Sequence, residues 1–193
     1  MHKMPRLVAA SLLAVSFALP VMAEPRSYVI DDSHTYPHFS YDHFGLSKQT
    51  ARFSNTRGSI DYDADAPSAS LDIVIDMNSI DTGYGEFDTH LRSDDFFDTE
   101  QYPYARFRST DVHFQGSQPT AIEGVLTIKG ISQPVTLDVT RFEAMPHPME
   151  EGKHAVGANA EVTVLRSDFD AGMYAPYVSD EVTISIAVEA ISE

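Results

Sequence analysis

Strict alternation of apolar and polar residues marks several short segments of the chain. In residues 71–77, Leu71, Ile73 and Ile75 share one face while Asp72 lies on the other. This period of two is typical of a β-strand with one buried face. The same pattern, or a short run of strand-forming residues, recurs at residues 28–30, 39–44, 51–62, 104–114, 122–128, 135–139, 158–165 and 182–190.

The segments between these strands carry turn-forming residues. Proline, glycine, aspartate and serine concentrate at residues 63–67, 115–119, 129–134 and 145–148, and such clusters interrupt any helix. About eight strands joined by short antiparallel turns are therefore predicted. A twisted antiparallel sheet of that size tends to close, because closure removes its exposed edges. The predicted fold class is all-β, a closed antiparallel β-barrel of about eight strands.

Residues 81–98 interrupt the alternation. Phe87 and Leu91 are four residues apart, and Asp81 or Thr82 is a suitable cap for a short helix. The segment also contains adjacent phenylalanines at positions 96 and 97. We expect a short helical insertion that folds back onto the barrel or over its mouth.

Residues 1–23 have the features of a secretory signal peptide. Lys3 and Arg6 precede an apolar stretch at 7–19, and Ala23 ends a small-residue cleavage site. This pattern predicts export and leaves residues 24–193 as one domain. The later sequence contains no apolar stretch long enough to cross a bilayer as a helix.

Net charge and residue usage exclude several kinds of partner. The full chain carries −16, and the predicted cleavage makes this −18 because Lys3 and Arg6 are the only charged residues removed. Such a charge repels nucleic acid and anionic membrane surfaces. The chain has no cysteine, which excludes disulfides, thiolate nucleophiles and sulfur ligands for a metal.

The sequence lacks the motifs of common enzymes and cofactor sites. It has no Gly-x-Ser-x-Gly, no His-Glu-x-x-His and no phosphate-binding glycine loop. His34, His38 and His43 are four and five residues apart. Strand residues four apart are separated by about 13 Å, too far for one metal ion unless Pro37 forms a turn. We therefore expect no catalytic residues, no metal site and no cofactor.

Several motifs in the chain together resemble the YceI-like family of exported lipid-binding proteins. The most specific is the run His90-Leu91-Arg92-Ser93 followed by Asp95-Phe96-Phe97. Other matching motifs occur in the same order as in the family: His34, His43-Phe44-Gly45, residues 79–83, Tyr102-Pro103, residues 107–110, 124–130 and 134–137, and Arg166-Ser167-Asp168-Phe169. Asp170 and Ala51 stand where the family often has glycine, near expected turns or bends.

This resemblance implies a lipocalin-like barrel whose interior holds an amphiphile with a long apolar tail. Polyprenyl, quinone-like and fatty-acid molecules are the typical ligands, and periplasmic location and homodimers are common. On this basis we expect a periplasmic protein that sequesters or transports a long-chain isoprenoid-type lipid without catalysis.

Candidate ligand-binding residues follow from the alternation and from the insertion. The alternation assigns these side chains to the interior: Phe39, Tyr41, Phe53, Ile73, Ile75, Phe107, Leu126, Ile128, Leu137, Val164, Ile184 and Ile186. The insertion and its expected neighbour add these: Asp88, His90, Leu91, Arg92, Phe96, Phe97 and Tyr174. Asp88, His90 and Arg92 are the headgroup candidates, with Tyr84 and Tyr174 as aromatic neighbours. In the structural alternative, Asp88 and Arg92 form an ion pair and His90 bonds locally to hold the insertion in place.

Two other interpretations fit the same alternation. The interior side chains could fill the barrel completely, which would make the protein a structural or stress-response barrel without a ligand. Alternatively, an outer-membrane barrel has the same period with its faces reversed. Such a barrel is disfavoured by the apolar insertion and by a C-terminus, residues 191–193, that contains no aromatic residue.

Overall fold

The computed structural model describes residues 25–193, so the predicted signal peptide lies outside the described residues. Eleven strands and one α-helix are present in this part of the chain. The strands are β1 (Arg26–Ile30), β2 (Tyr36–His43), β3 (Ser47–Phe53), β4 (Thr56–Asp63), β5 (Ser68–Asp76), β6 (Ile80–Asp81), β7 (Tyr104–Gln115), β8 (Gln118–Ile128), β9 (Ile131–Pro146), β10 (His154–Leu165) and β11 (Glu181–Ser192). The helix α1 spans Gly85–Arg92, and short 3₁₀ turns span Asp32–His34, Met77–Ser79 and Arg166–Phe169.

Eight of the strands form a closed antiparallel barrel, which confirms the predicted fold class. Their order around the ring is β1, β4, β5, β7, β8, β9, β10 and β11, and β11 pairs back to β1. One edge of β11 pairs with β10. Its other edge is long enough to pair with two strands, β1 and β2, and the pairing with β1 closes the ring. One end of that edge pairs with β1, where Tyr28 is opposite Ser192, and the other end pairs with β2, where Ser40 is opposite Thr183.

The three remaining strands extend the sheet at one end of the barrel. From β11 the order continues through β2 and β3 to β6. The predicted single strand at 51–62 is wrong in this respect, because the chain breaks at Ser54 and Asn55 into β3 and β4. The backbone N–H groups of both residues instead bond to Ser79, the former to its carbonyl and the latter to its side chain.

Prolines interrupt the strands less than the sequence predicts. The predicted turn at 129–134 is only the two residues Lys129 and Gly130, which have φ of 50° and 72°. Positive φ at both central positions is the hairpin geometry that matches strand twist. Pro134 lies within β9, opposite Val125, and Pro37 lies within β2 rather than in a turn.

The two ends of the barrel differ. At the far end, Tyr62 meets Phe142 with ring centroids 5.0 Å apart, and the Tyr62 hydroxyl donates to the Ser117 carbonyl at 3.0 Å. At the opposite end, α1 and the segment that follows it lie against the barrel wall. Leu91 and Phe96 are buried there in a cluster with Phe53 and the surrounding apolar side chains. We call this opposite end the mouth.

The helical insertion is confirmed, with a different start from the one predicted. The helix begins at Gly85 with Tyr84 as its N-cap, which makes no side-chain capping bond. Asp81 instead accepts a hydrogen bond from the Gly83 backbone N–H. At the other end of the helix, the backbone N–H and the hydroxyl of Ser93 both donate to the His90 carbonyl.

Candidate functional site

An internal cavity of about 430 Å³ occupies the barrel. Its lining extends along β8 from Pro119, near the far end, to Ile128 at the mouth. Nine residue steps of strand cover about 30 Å. With the usual tilt of barrel strands, this corresponds to roughly 23 Å along the barrel axis. The cavity is therefore long and narrow, and its far end is blocked by Tyr62 and Phe142.

The cavity wall is almost entirely aliphatic and aromatic. The only lining side chains, among the described residues, that are neither apolar nor tyrosine are Thr35, His38, His43, Thr56, His90 and Arg166. No aspartate or glutamate of residues 25–193 lines the cavity. The apolar face of the barrel thus points inward, which is the reverse of the arrangement in outer-membrane barrels.

Most of the predicted ligand-binding residues lie on this wall. The following side chains line the cavity: Phe39, Tyr41, Phe53, Ile73, Ile75, His90, Leu91, Phe96, Phe97, Phe107, Leu126, Ile128, Leu137, Val164, Tyr174, Ile184 and Ile186. That they bind a ligand stays a prediction.

Aromatic contacts connect the insertion to the opposite side of the mouth. The His90 ring meets Phe96 edge to face at 5.1 Å, and Phe96 lies 6.2 Å from the Tyr174 ring. Phe97 packs in the same way against Phe39 and Phe53. These rings cover part of the mouth. Exchange of a ligand therefore requires some of them to move.

Three predicted residues of the insertion do not reach the cavity. Asp88 accepts two hydrogen bonds from Thr82, from the backbone N–H at 2.8 Å and from the hydroxyl at 2.6 Å. The Arg92 guanidinium donates to the Asn78 carbonyl at 3.2 Å. The Asp88–Arg92 pair of the structural alternative is not among the ion pairs of residues 25–193, since each partner bonds elsewhere. The His90 ring does have a local partner, Asp95, at 3.5 Å. Tyr84 is exposed and donates its hydroxyl to Glu86 at 2.6 Å.

Arg166 is the charged cavity residue that sequence reasoning missed. Its guanidinium donates to four backbone carbonyls of the following loop, those of Ala171, Met173, Val178 and Ser179, at 2.6–3.1 Å. Burial lowers the pKa of Arg166, although the nearby Asp180 opposes this. The available signal is the Arg166-Ser167-Asp168-Phe169 motif, whose arginine directly follows a predicted strand.

The turn after this motif shows why a glycine is common there. Asp170 has a φ of 53°, in the left-handed region, and its backbone N–H bonds back to the Ser167 carbonyl. Glycine adopts this conformation without steric cost, and aspartate tolerates it better than most residues. The Lys129 ammonium also donates to the Asp170 carbonyl at 2.7 Å. The turn is therefore kept without the glycine. By contrast, Ala51, the other departure from the family pattern, is simply a buried residue of β3.

Tyr41 is the buried tyrosine beside Arg166. Its ring stacks on Phe39 at 6.2 Å, and its hydroxyl has no hydrogen-bond partner in the described part of the chain. Burial raises the pKa of Tyr41, and the Arg166 charge acts in the opposite direction. The phenol therefore keeps its proton at neutral pH and remains a free donor.

The three histidines weighed as a metal site do not come together. His38 and His43 lie on β2, five residues apart, and His34 lies in the turn before it. Instead His34 is paired with Asp31 at 2.7 Å, and Glu189 has a carboxylate oxygen nearby, so the ligand atoms of these three residues lie within 4.8 Å. The group is largely exposed and outside the cavity lining. The hydrogen bonds from Ser33 and His34 to Asp31 account for its arrangement.

Comparison with known proteins gives a consistent result. Residues 28–190 match the YceI-like domain. A UPF0312 protein of Shewanella denitrificans is 33% identical over 98% of this chain and all of its own length. A UPF0312 protein of Pectobacterium carotovorum is 32% identical, covering 97% of this chain and 95% of its own.

Solved structures share the barrel. The YceI protein of Campylobacter jejuni superposes with a TM-score of 0.66 at 26% identity, covering 79% of this chain and 89% of its own. Burkholderia cenocepacia BcnA gives a TM-score of 0.68 at 21% identity, covering 83% and 99%. A polyisoprenoid-binding domain from Saccharophagus degradans gives 0.64 at 16% identity, covering 87% and 99%.

Within residues 25–193, no helix has the length and apolarity needed to cross a membrane. The matched domain, the relatives that align along nearly their whole length and the shared barrel agree with the motifs in the sequence. The chain belongs to the YceI-like family.

Proposed function

We propose that this protein sequesters or transports one long-chain amphiphile of isoprenoid type in its barrel, without catalysing a reaction on it. The observation that carries this proposal is the long, apolar cavity of about 430 Å³ inside the barrel. Support also comes from the family and from the structural neighbour described as a polyisoprenoid-binding domain. The signal-like residues 1–23 support export, and the proposed location is the periplasm.

The size of the cavity argues against a barrel without a ligand. The apolar side chains that line this space have no packing partners across it, so they forgo dispersion contacts that a filled core would make. A filled barrel, the alternative that the sequence left open, would not contain such a space. An apolar tail restores the missing contacts.

The energy of burial indicates the length of tail that the site requires. Each buried CH₂ group contributes about 0.8 kcal/mol, so a tail of about 15 carbons contributes roughly 12 kcal/mol. Association costs about 4–15 kcal/mol, so much shorter tails would bind weakly. One methylene more or less changes selectivity by only about 1–3 kcal/mol. We expect the tail to be recognised by its length class and apolarity.

The first test is identification of a copurified ligand. The protein is expressed with residues 1–23, released by osmotic shock and examined by native mass spectrometry, with organic extraction of the bound molecule. We expect about one long-chain lipid per chain. Release by osmotic shock tests the proposed location, and the same spectra report whether the predicted homodimer forms. Protein of bare mass that also fails to take up added polyprenyl lipids and quinones would contradict the proposal.

A pair of variants tests whether the ligand occupies the barrel. Ala160 is buried on the cavity wall in β10, whereas Thr163 of the same strand faces outward and is exposed. We expect Ala160→Phe to lose lipid binding by filling the cavity, while Thr163→Phe adds the same ring outside and binds normally. Circular dichroism establishes that both variants are folded. Equal binding by both variants would place the ligand elsewhere.

A further inference from the structure

The cation on the cavity wall has no anionic partner. The Arg166 guanidinium lies within 4 Å of no carboxylate oxygen in the described part of the chain, and its bonds go to neutral backbone carbonyls. The nearest acidic candidate, Asp180, is occupied by Ser167, whose backbone N–H and hydroxyl bond to it at 2.8 and 2.6 Å. Arg166 is half-buried, and partial burial of a charge without a carboxylate partner carries part of the desolvation cost of a buried ion. This cost would fall if a ligand supplied the anion.

One donor of Arg166 is still available. A guanidinium has five N–H groups. One from Nε and two from Nη1 bond to loop carbonyls, as does one from Nη2. The second N–H of Nη2 has no acceptor among residues 25–193, and Arg166 lines the cavity. The four occupied donors fix the position of the guanidinium. The charge is thus presented to the cavity without an entropic cost for ordering a free side chain.

Tyr41 provides a second free donor near the same place. Its side chain is 91% buried, since only 9% of the residue surface is accessible. Its hydroxyl reaches open cavity space, because it is not among the fully enclosed polar atoms and has no bonding partner in the described chain. Asp42, the residue after Tyr41, exchanges two hydrogen bonds with Ser179, at 2.9 and 3.0 Å, and the Ser179 carbonyl accepts from Arg166 at 2.9 Å. Tyr41 and Arg166 therefore lie at the same part of the mouth.

The geometry points to a headgroup site at Arg166 and Tyr41 that binds the carboxylate of a long-chain acid, with the tail directed to the far end of the barrel. The free guanidinium N–H and the phenolic O–H can both donate to an acceptor group, and the Arg166 charge favours an anionic one. A carboxylate has two acceptor oxygens and supplies the missing negative charge. An ammonium headgroup would be repelled by the Arg166 charge. This inference rests on the proposed function, because it assumes that a lipid occupies the barrel.

The direction of the tail follows from the position of the site. Arg166 comes directly after β10 and Tyr41 near the end of β2, and both strands end at the mouth. Below them the wall is mostly apolar as far as Tyr62 and Phe142, which close the far end. An acid bound at Arg166 and Tyr41 therefore has only one apolar path of adequate length for its tail.

The test compares two ligands that differ only in their headgroup. Geranylgeranoic acid and geranylgeraniol have the same isoprenoid tail, and each is titrated against delipidated protein loaded with the neutral fluorophore N-phenyl-1-naphthylamine. Competition gives the two dissociation constants at neutral pH. We expect the acid to bind roughly tenfold or more tightly than the alcohol, because hydrogen bonds involving a charged group are the stronger ones.

The variant Tyr41→Phe removes one donor and leaves the loop contacts of Arg166 intact. We expect it to weaken binding of the acid about tenfold and to leave binding of the alcohol nearly unchanged. The control Tyr104→Phe removes a hydroxyl from an exposed tyrosine outside the cavity lining. The control should keep the preference for the acid.

The outcomes separate this inference from the proposed function. Equal binding of acid and alcohol, or an unchanged preference in Tyr41→Phe, would overturn the headgroup site and leave the lipid-binding function standing. If neither ligand displaces the fluorophore and no lipid copurifies, both proposals fail. A preference for the acid that Tyr41→Phe removes would support both.

Discussion

At the scale of single residues, the outer wall of the barrel contains a carboxylate shared by two arginines. Asp72 accepts hydrogen bonds from Arg106 at 2.5 and 2.8 Å and from Arg108 at 3.0 Å. Hydrogen bonds from Arg106 and then Arg108 lower the pKa of Asp72 to about 2. Because the folded state lowers this pKa, the interaction stabilises the protein above about pH 4 and is lost as the pH falls toward 2.

We predict that Asp72→Asn lowers the free energy of unfolding at neutral pH by up to about 1 kcal/mol. The value is small because the side chains are partly exposed and solvent screens the interaction. Urea unfolding of both proteins between about pH 7 and pH 3 measures the difference, which should shrink below about pH 4.

The control for this prediction is Asp138→Asn. Asp138 is exposed on β9 and has no ion pair among residues 25–193. Its loss removes one negative charge from an acidic protein, so it should leave stability unchanged or raise it slightly. If both variants lose the same stability with the same dependence on pH, the arginine contacts of Asp72 contribute nothing.

The sequence predicts which strand residues face the interior, but it does not predict the partners of individual polar side chains. Alternation correctly assigned side chains such as Ile73 and Ile184 to the interior, because the strand period alone decides which face a residue occupies. It could not find Arg166, whose position depends on backbone carbonyls of a loop without a repeating pattern. Nor could it predict the partners of Asp88 and Arg92, because spacing of four along a helix permits a pair but competing acceptors decide it.

At the scale of elements, the helix α1 and the segment after it cover part of the mouth. The segment is held to the barrel by buried Leu91 and Phe96. Its N-terminal side is held by the two hydrogen bonds from Thr82 to Asp88. Small local elements open more often than a barrel unfolds. The bonds to Asp88 are therefore suited to control the rate of ligand exchange.

We predict that Asp88→Ala increases the dissociation rate of bound N-phenyl-1-naphthylamine by about 5- to 30-fold. This corresponds to the roughly 1–2 kcal/mol typical of a lost bond at a helix start. Stopped-flow fluorescence measures the rate, and hydrogen exchange follows the amides of residues 81–98. The global free energy of unfolding should fall by a similar amount, because the bonds to Asp88 are absent from the unfolded state as well as from the locally open one.

The control for the mouth is Glu86→Ala, which is also in the first turn of α1 but is exposed and bonds only to Tyr84. Its dissociation rate should stay near that of the unmodified protein. Faster amide exchange in Asp88→Ala without faster ligand release would show that the ligand leaves by another route.

Element boundaries were predictable where turns have a chemical signature. The hairpin at Lys129 and Gly130 and the helical insertion both occur inside predicted segments. The split of residues 51–62 was missed, although the buried positions change from odd (Ala51, Phe53) to even (Ile60, Tyr62) across Ser54 and Asn55. The backbone N–H groups of those two residues bond to Ser79 and end the strand there. The full length of β9 was also missed, since Pro134 read as a turn residue.

At the scale of the whole molecule, closure of the barrel was predictable and the cavity was not. Alternation shows which side chains face inward, but whether they fill the interior depends on the barrel's width and on the sizes of opposing residues. Small residues such as Ala158 and Ala160 leave room on the cavity wall. The resemblance to a lipid-binding family was the only basis for expecting the space that the structure shows.

The net charge of the whole molecule also affects its stability, because the chain has 29 acidic and 13 basic residues. Mutual repulsion of excess charge destabilises a compact state. Salt bridges such as Arg52–Asp81 at 3.0 Å oppose it, yet each exposed pair contributes only about 0.2–1 kcal/mol. Few such pairs are present in residues 25–193. Repulsion between the acidic side chains should therefore change the stability of the fold more than these ion pairs do.

We predict that the melting temperature of the delipidated protein rises with salt. Between about 10 mM and about 0.5 M NaCl the Debye length falls from roughly 30 Å to a few ångströms, which screens the repulsion across the barrel. Differential scanning calorimetry at constant pH measures the change, and KCl at equal ionic strength should give the same rise if screening is the cause. A melting temperature that falls with salt would mean that the few ion pairs outweigh the net charge, and Asp72→Asn would then remove part of that fall.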